Sequence, residues 1–245
     1  MRVMLKGIYR TITGKAVTER RMEIVANNIA NCLTAGYKNS RPVFKLIDDV
    51  NGSEADKTLA QKGSIYTLSS FINFTEGVLV ETGNNLDLGI QGDGFFVVMV
   101  KGKNMYTRDG QFTLNNEKKL VTLDGNPVMG EGGEITIDGA DIKIESDGTI
   151  YVDKKFVDKI RVVTFEDKTV LKNYGRSLFV NTDERAKETI PENYGVKQGS
   201  YEASNVDVIK EMVEMMSTLR AYESYTKVDQ FFSEMMEKLI NLGRM

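Results

Sequence analysis

The sequence predicts a mainly β protein: a central all-β domain flanked by long N- and C-terminal helices that pair into a coiled-coil-like terminal domain. Three observations carry this. Thirteen of the 22 glycines lie between Gly77 and Gly148 and cut that stretch into short β-prone runs. From Asn205 to Leu242 there is neither glycine nor proline. Within that span Ile209, Met212, Met216, Leu219, Tyr222, Tyr225, Val228, Phe232, Met235, Leu239 and Leu242 recur at steps of three or four, read as one helix stripe.

The elements follow in order. Residues 1–36 read as a helix with Leu5, Ile8, Ile12, Ala16, Met22, Ala26, Ile29 and Leu33 on one stripe, interrupted near residue 19 and ended by Gly36. Gly7 and Gly14 each weaken it by about 1 kcal/mol relative to Ala, so it needs a partner. Residues 37–75 show no sustained period and read as an extended connector. The central β domain is set at 76–181, with strands at 86–90, 95–100, 111–114, 119–123, 134–137, 141–145, 158–165 and 177–181. Asp109-Gly110, Asp124-Gly125 and Asp147-Gly148 are hairpin-type turn signals. Residues 182–204 read as the return connector, and 205–245 as the second half of the helical domain. Ser204 with Asp207 resembles a capping box, and Gly243 suits the C-terminal stop. A helix of that length spans roughly 55 Å, longer than a compact β domain is wide, so it is expected to project.

Composition excludes most chemistry. There is no histidine, which removes His-dependent triads, His zinc sites and His acid–base work. The single cysteine, Cys32, forbids an internal disulfide and multi-cysteine metal clusters, and reads as an incidental small apolar residue. A net charge of −3 argues against general nucleic-acid binding. No run approaches the length of a membrane span, and no secretory signal is visible. Charge is uneven: residues 1–45 carry +7, residues 206–245 carry −2, and those between carry −8. A basic end beside acidic partners is a recurrent assembly device, although a solvated face explains most charge runs.

Individual motifs have plain readings. Gly89-Ile90-Gln91-Gly92-Asp93-Gly94 leads into the strand Phe95-Phe96-Val97-Val98 rather than a helix, so a tight β turn is favoured over a phosphate loop. Asp138/Asp141 and Glu145/Asp147 lack EF-hand spacing and read as turn carboxylates. No catalytic, cofactor or metal residue is expected. Met212, Met215, Met216, Met235 and Met236 form either a helix core or an adaptable contact face. Asn27, Asn28 and Asn31 are either solvent-facing or bonded across a helix interface to fix its register.

These segments also carry a family resemblance. MEIVANNIANCLTAGYKNSRPVF at 22–44 resembles the N-terminal signature of bacterial flagellar rod and hook proteins. LDLGIQGDGFFVV at 86–98 and YTRDGQFTLNNEKKLVTLDGNPVMGEGGEITI at 106–137 resemble their central β domain, and residues 198–242 resemble their C-terminal helix. The match is colinear over nearly the whole chain. Tyr37 stands where the family often has Phe, and Cys32 where Val, Ala or Ser is more usual.

The resemblance implies an axial structural protein and no enzyme. It implies terminal helices packed into an inner tube around an export channel, with partners that are copies of the chain and neighbouring rod proteins. It further implies export by the flagellar type III apparatus and a place in the basal body, where the rod crosses the periplasm. On this basis the assembly interface is expected at Leu5, Ile8, Ile12, Met22, Asn27, Asn28, Ile29, Asn31, Asn205, Ile209, Met212, Met216, Leu219, Tyr222, Val228, Phe232, Met235 and Leu239. The length leaves no room for the extra domains of hook proteins, and PVMGEGGEITI looks more like the proximal-rod type than the distal-rod type. The rival class is a secreted β-domain binding module, whose activity should survive loss of the termini.

Overall fold

The computed structural model describes residues 2–46 and 66–242. Its contacts divide the chain into two units.

The larger unit holds Asn31–Asn39 and Ile72–Val206. Residues 76–181 fold as strands β3 (Leu79–Glu81), β4 (Leu88–Gly92), β5 (Phe95–Val100), β6 (Lys103–Thr107), β7 (Phe112–Leu114), β8 (Leu120–Thr122), β9 (Ile142–Ile144), β10 (Thr149–Val152), β11 (Lys155–Lys159), β12 (Val162–Val163), β13 (Leu171–Gly175) and β14 (Leu178–Asn181). The widest sheet has the order β12-β5-β6-β14-β13, all antiparallel. β5 explains why. Phe96, Val98 and Val100 join one core with Leu88, Leu120, Val128 and Ile150, while Phe95 and Val97 join a second with Tyr106, Phe165 and Phe179. A strand buried on both faces reads as a continuous apolar run, as FFVVMV does. Phe74 sits edge-on to Phe95 and Phe179, at 5.3 and 5.2 Å between centroids.

Several sequence expectations change here. The stretch 182–204 carries strands β15 (Tyr194–Gln198), paired with β4, and β16 (Ser200–Glu202), paired with β3. Their buried residues include Ser200 and Glu202, so no apolar alternation marked them. The strand expected at 134–137 makes single bridges only, at Glu134 and Thr136, yet still buries Ile135 and Ile137. Asp109-Gly110 is not a hairpin turn. The Leu88 N–H donates to the Gly110 carbonyl at 2.9 Å, and an added Cβ on Gly110 would collide with the Leu88 oxygen. Asp124-Gly125 and Asp147-Gly148 do turn the chain, each with its glycine in the left-handed region. Asp147 accepts from the Thr149 N–H and hydroxyl, and Asp138 pairs with Lys118 at 2.5 Å, so both are turn or surface carboxylates.

The second unit holds helix α1 (Arg2–Ala30), a pair of strands β1 (Ser40–Leu46) and β2 (Tyr66–Ile72), and helix α2 (Val208–Leu242). The strand pair lies within the segment 37–75 read as an extended connector. Asp207 is the N-cap of α2, accepting from the Lys210 N–H at 3.2 Å. Ser204, expected in that role, instead accepts from the Val206 N–H. The Gly243 stop lies outside the described residues. The helices run antiparallel: as α1 partners fall from Asn28 through Arg21 to Lys15, their α2 partners rise from Glu211 through Glu214 to Tyr222.

The helices meet, but not along the expected stripes. On α1 the buried positions are Thr11, Thr18, Ile24, Val25 and Asn28, with Gly14 and Arg21 half-buried. On α2 Thr218 is buried, and Glu211, Glu214, Met215, Tyr222, Thr226, Asp229 and Phe232 are half-buried. The reason is geometric. The expected α2 stripe takes four consecutive steps of three from Met216 to Val228, and at about 100° per residue these two stand about 120° apart. Apolarity led the reading from one face to another.

Candidate functional site

Within the larger unit, two stretches far apart in sequence are stitched by charge. Lys38, Arg108 and Glu202 are each at most 2% exposed. The Lys38 ammonium donates to Glu202 Oε1 at 2.5 Å and to the Thr75 carbonyl at 2.7 Å. Glu202 Oε1 also accepts from the Gly77 N–H at 2.6 Å, and Oε2 accepts from Arg108 at 3.0 Å. The Arg108 guanidinium continues to the Gly92 carbonyl at 2.7 Å and lies 5.4 Å from the Phe95 ring centroid. Burial pushes the Lys38 amine below its ordinary range, and the Glu202 carboxylate opposes that shift.

Asn205 extends the stitching. Its Oδ1 accepts from the Asn39 N–H at 2.7 Å, and its Nδ2 donates to the carbonyls of Asn73 and Thr75 at 2.8 and 3.0 Å. The Gly36 N–H donates to the Glu202 carbonyl at 2.7 Å. Gly36 is in the left-handed region, and an added Cβ would run into the Asp109 backbone. Residues 31–39 and 202–205 are therefore fixed side by side. Breaking one partner of such a buried pair costs about 3–5 kcal/mol.

The second candidate is the face of α2 left uncovered by α1. Ile209, Met212, Met216 and Leu219 are exposed by 76, 53, 53 and 44%. Val213 and Phe231 are exposed as well. A helix that buries Thr218 and exposes Ile209, Met212 and Met216 leaves an apolar face uncovered among the described residues.

The remaining expected residues distribute as follows. Asn28 is buried, while Asn27 is exposed and Asn31 half-buried. Ile12 and Val228 are exposed; Met22, Ile29, Tyr222, Phe232 and Met235 are half-buried. The side chains of Leu5, Ile8 and Leu239 lie outside the described residues. Sequence reasoning missed Lys38, Arg108 and Glu202. Their signal was charge at positions flanked by buried residues, Tyr37 and Asn39 about Lys38 above all.

Among the described residues no group of three acidic or thiol side chains could hold a metal ion, and no helix is long and apolar enough to cross a membrane. The arrangement offers an anchored β body and a helix pair with an open apolar face.

Three family models match this chain in succession. They are the flagella basal body rod protein at residues 12–38, the flagellar hook protein FlgE/F/G D1 domain at 89–152 and the flagellar basal body rod FlgEFG protein C-terminal at 197–242. Flagellar basal-body rod protein FlgF of Caulobacter vibrioides is 35% identical over 92% of this chain and 92% of its own length. FlgG of Bacillus subtilis is 32% identical over 98% of this chain and all of its own. FlgF of Mesorhizobium japonicum is 30% identical over 90% of each.

Proposed function

The chain belongs to the flagellar basal-body rod protein family, and on that premise we propose that it is a proximal-rod subunit assembling through its terminal helices. It is a structural protein of the flagellar basal body and not an enzyme. The observation that carries the assembly reading is the open face of α2, with Ile209, Met212, Met216 and Leu219 exposed.

A 35-residue helix is about 52 Å long at 1.5 Å per residue. Paired with α1 in a coiled-coil-like hairpin, it presents that face to neighbouring copies and to other rod proteins. Contacts between unlike patches of successive subunits generate a helical tube rather than a closed ring. Burying the stripe offsets ordering costs of about 1–2 kcal/mol per residue, so assembly stabilises the helix pair. The tube is the export channel wall and part of the drive shaft, and the subunit reaches it through the flagellar type III apparatus. Similarity to FlgF of Caulobacter vibrioides supports the proximal-rod type. Similarity to FlgG of Bacillus subtilis, spanning all of that protein, favours a distal-rod subunit as the second reading.

The test is to delete the gene in its source organism and image purified basal bodies. A rod stub lacking everything beyond its proximal part is expected. A longer stub missing only the distal part would favour the second reading, and an intact rod and hook would overturn both. In the complemented strain, Leu219→Asp should block incorporation; motile cells carrying it would contradict the use of this face.

A further inference from the structure

The surface where α1 meets α2 is chemically heterogeneous, and the order of its contacts is informative. Asn28 is 1% exposed. Its Nδ2 donates to the Ser40 carbonyl at 2.9 Å and to Glu211 Oε2 at 3.2 Å, while its Oδ1 accepts from the Ser40 N–H at 2.9 Å. One amide thus ties α1, the start of β1 and the first turn of α2. Arg21 pairs with Glu214. The Lys15 ammonium lies 5.4 Å from the Tyr222 ring centroid. The Tyr225 ring lies across Gly14, where an added Cβ would meet it at 2.6 Å. An amide, an ion pair, a cation over a ring and a ring over a hole follow each other along the seam.

Four-residue slips of α2 break this order. Sliding α2 by four residues one way sets Asn28 against Met215 and Arg21 against Thr218. That same slip sets the Tyr225 ring against Thr18, and sliding the other way sets Arg21 against Lys210. The first shift strands a buried amide and replaces the Gly14 hole with a branched side chain, and the second opposes like charges. A seam of leucines would tolerate such slips.

We propose that this seam is a register key, with Asn28 as its pin and Arg21–Glu214 and Gly14–Tyr225 as its selectors. The key sets the heights at which α1 and α2 present their outward residues as one composite surface to a second copy of the chain. That purpose rests on the rod reading; the key itself does not.

The test uses the full chain with Cys32→Ser and pairs of introduced cysteines, read by disulfide formation in the isolated protein. Lys15→Cys with Tyr222→Cys reports the alignment described here. Lys15→Cys with Thr218→Cys, or with Thr226→Cys, reports a slip in either direction. The first pair should couple at least tenfold faster than the others. Asn28→Val should reduce that preference below threefold. Arg21→Glu should reduce it as well, and adding Glu214→Arg should restore it, so the swap decides the matter even where Asn28→Val fails to fold. No preference in the parent chain, or a preference that survives both Asn28→Val and Arg21→Glu, would overturn the key. Incorporation into basal bodies is read separately, so a failed key leaves the rod reading standing and a failed rod reading leaves the coupling ratios unchanged.

Discussion

The β body and the helix pair follow opposite rules about what they hide. In the β body, β5 is buried on both faces and even its charges, Lys38, Arg108 and Glu202, are paired inside. In the helix pair Ile24 and Val25 are hidden together with threonine, asparagine and charge, while Ile209, Met212, Met216 and Leu219 of α2 are outside. The first region pairs its buried charges and covers its apolar strands. The second leaves a run of apolar side chains on α2 exposed, the face that the proposed assembly would cover.

The comparison can be broken most severely at Glu202. Glu202→Ala leaves the Lys38 and Arg108 charges buried without their carboxylate, and should destabilise the β body by about 3–5 kcal/mol in chemical denaturation. A loss under 1 kcal/mol would mean the cluster is decorative. A smaller effect is expected at Asp109, whose carboxyl burial pushes up to about 6. A raised folded-state pKa means that the folded protein binds the proton more tightly than the unfolded chain does. The stabilisation is full below the unfolded value near 4 and is lost as pH rises through about 6. Asp109→Asn, which keeps the oxygen that accepts from the Gln111 N–H, should flatten the stability profile between these limits. An unchanged slope would point to another group. The smallest effect sharpens the contrast from the other side. Met216→Asp alters a side chain exposed by 53%, so the isolated chain should change stability by no more than about 0.5 kcal/mol. A large loss there would show that the face is already covered in the monomer.

The sequence's legibility tracked the same divide. FFVVMV could be read at once because burial on two faces leaves an uninterrupted apolar run. Both helices were visible from periodicity and from the absence of glycine and proline between residues 205 and 242. Three things were hidden. β15 and β16 lack alternation because Ser200 and Glu202 are among the residues they bury. The partners Lys38 and Glu202 stand 164 residues apart, and no local pattern links two single charges over that distance. The helix seam mixes polar and apolar residues, and the apolar stripe expected on α2 starts on its exposed face at Ile209, Met212, Met216 and Leu219 and drifts to half-buried Tyr222, Phe232 and Met235. The asparagines were the better guide to the seam, and Asn28 bonds across it to Glu211.

The pairing of Lys38 with Glu202 also has a mechanical side. It pins the chain where it enters the β body to where it leaves, closing a loop of 164 residues. Tension applied along the backbone at residues 38 and 202 meets this bridge directly, together with the Gly36 N–H on the Glu202 carbonyl and the Asn39 N–H on Asn205. A pull on those two points therefore has a short path to follow, from one side chain to the other, beside the long path through the backbone.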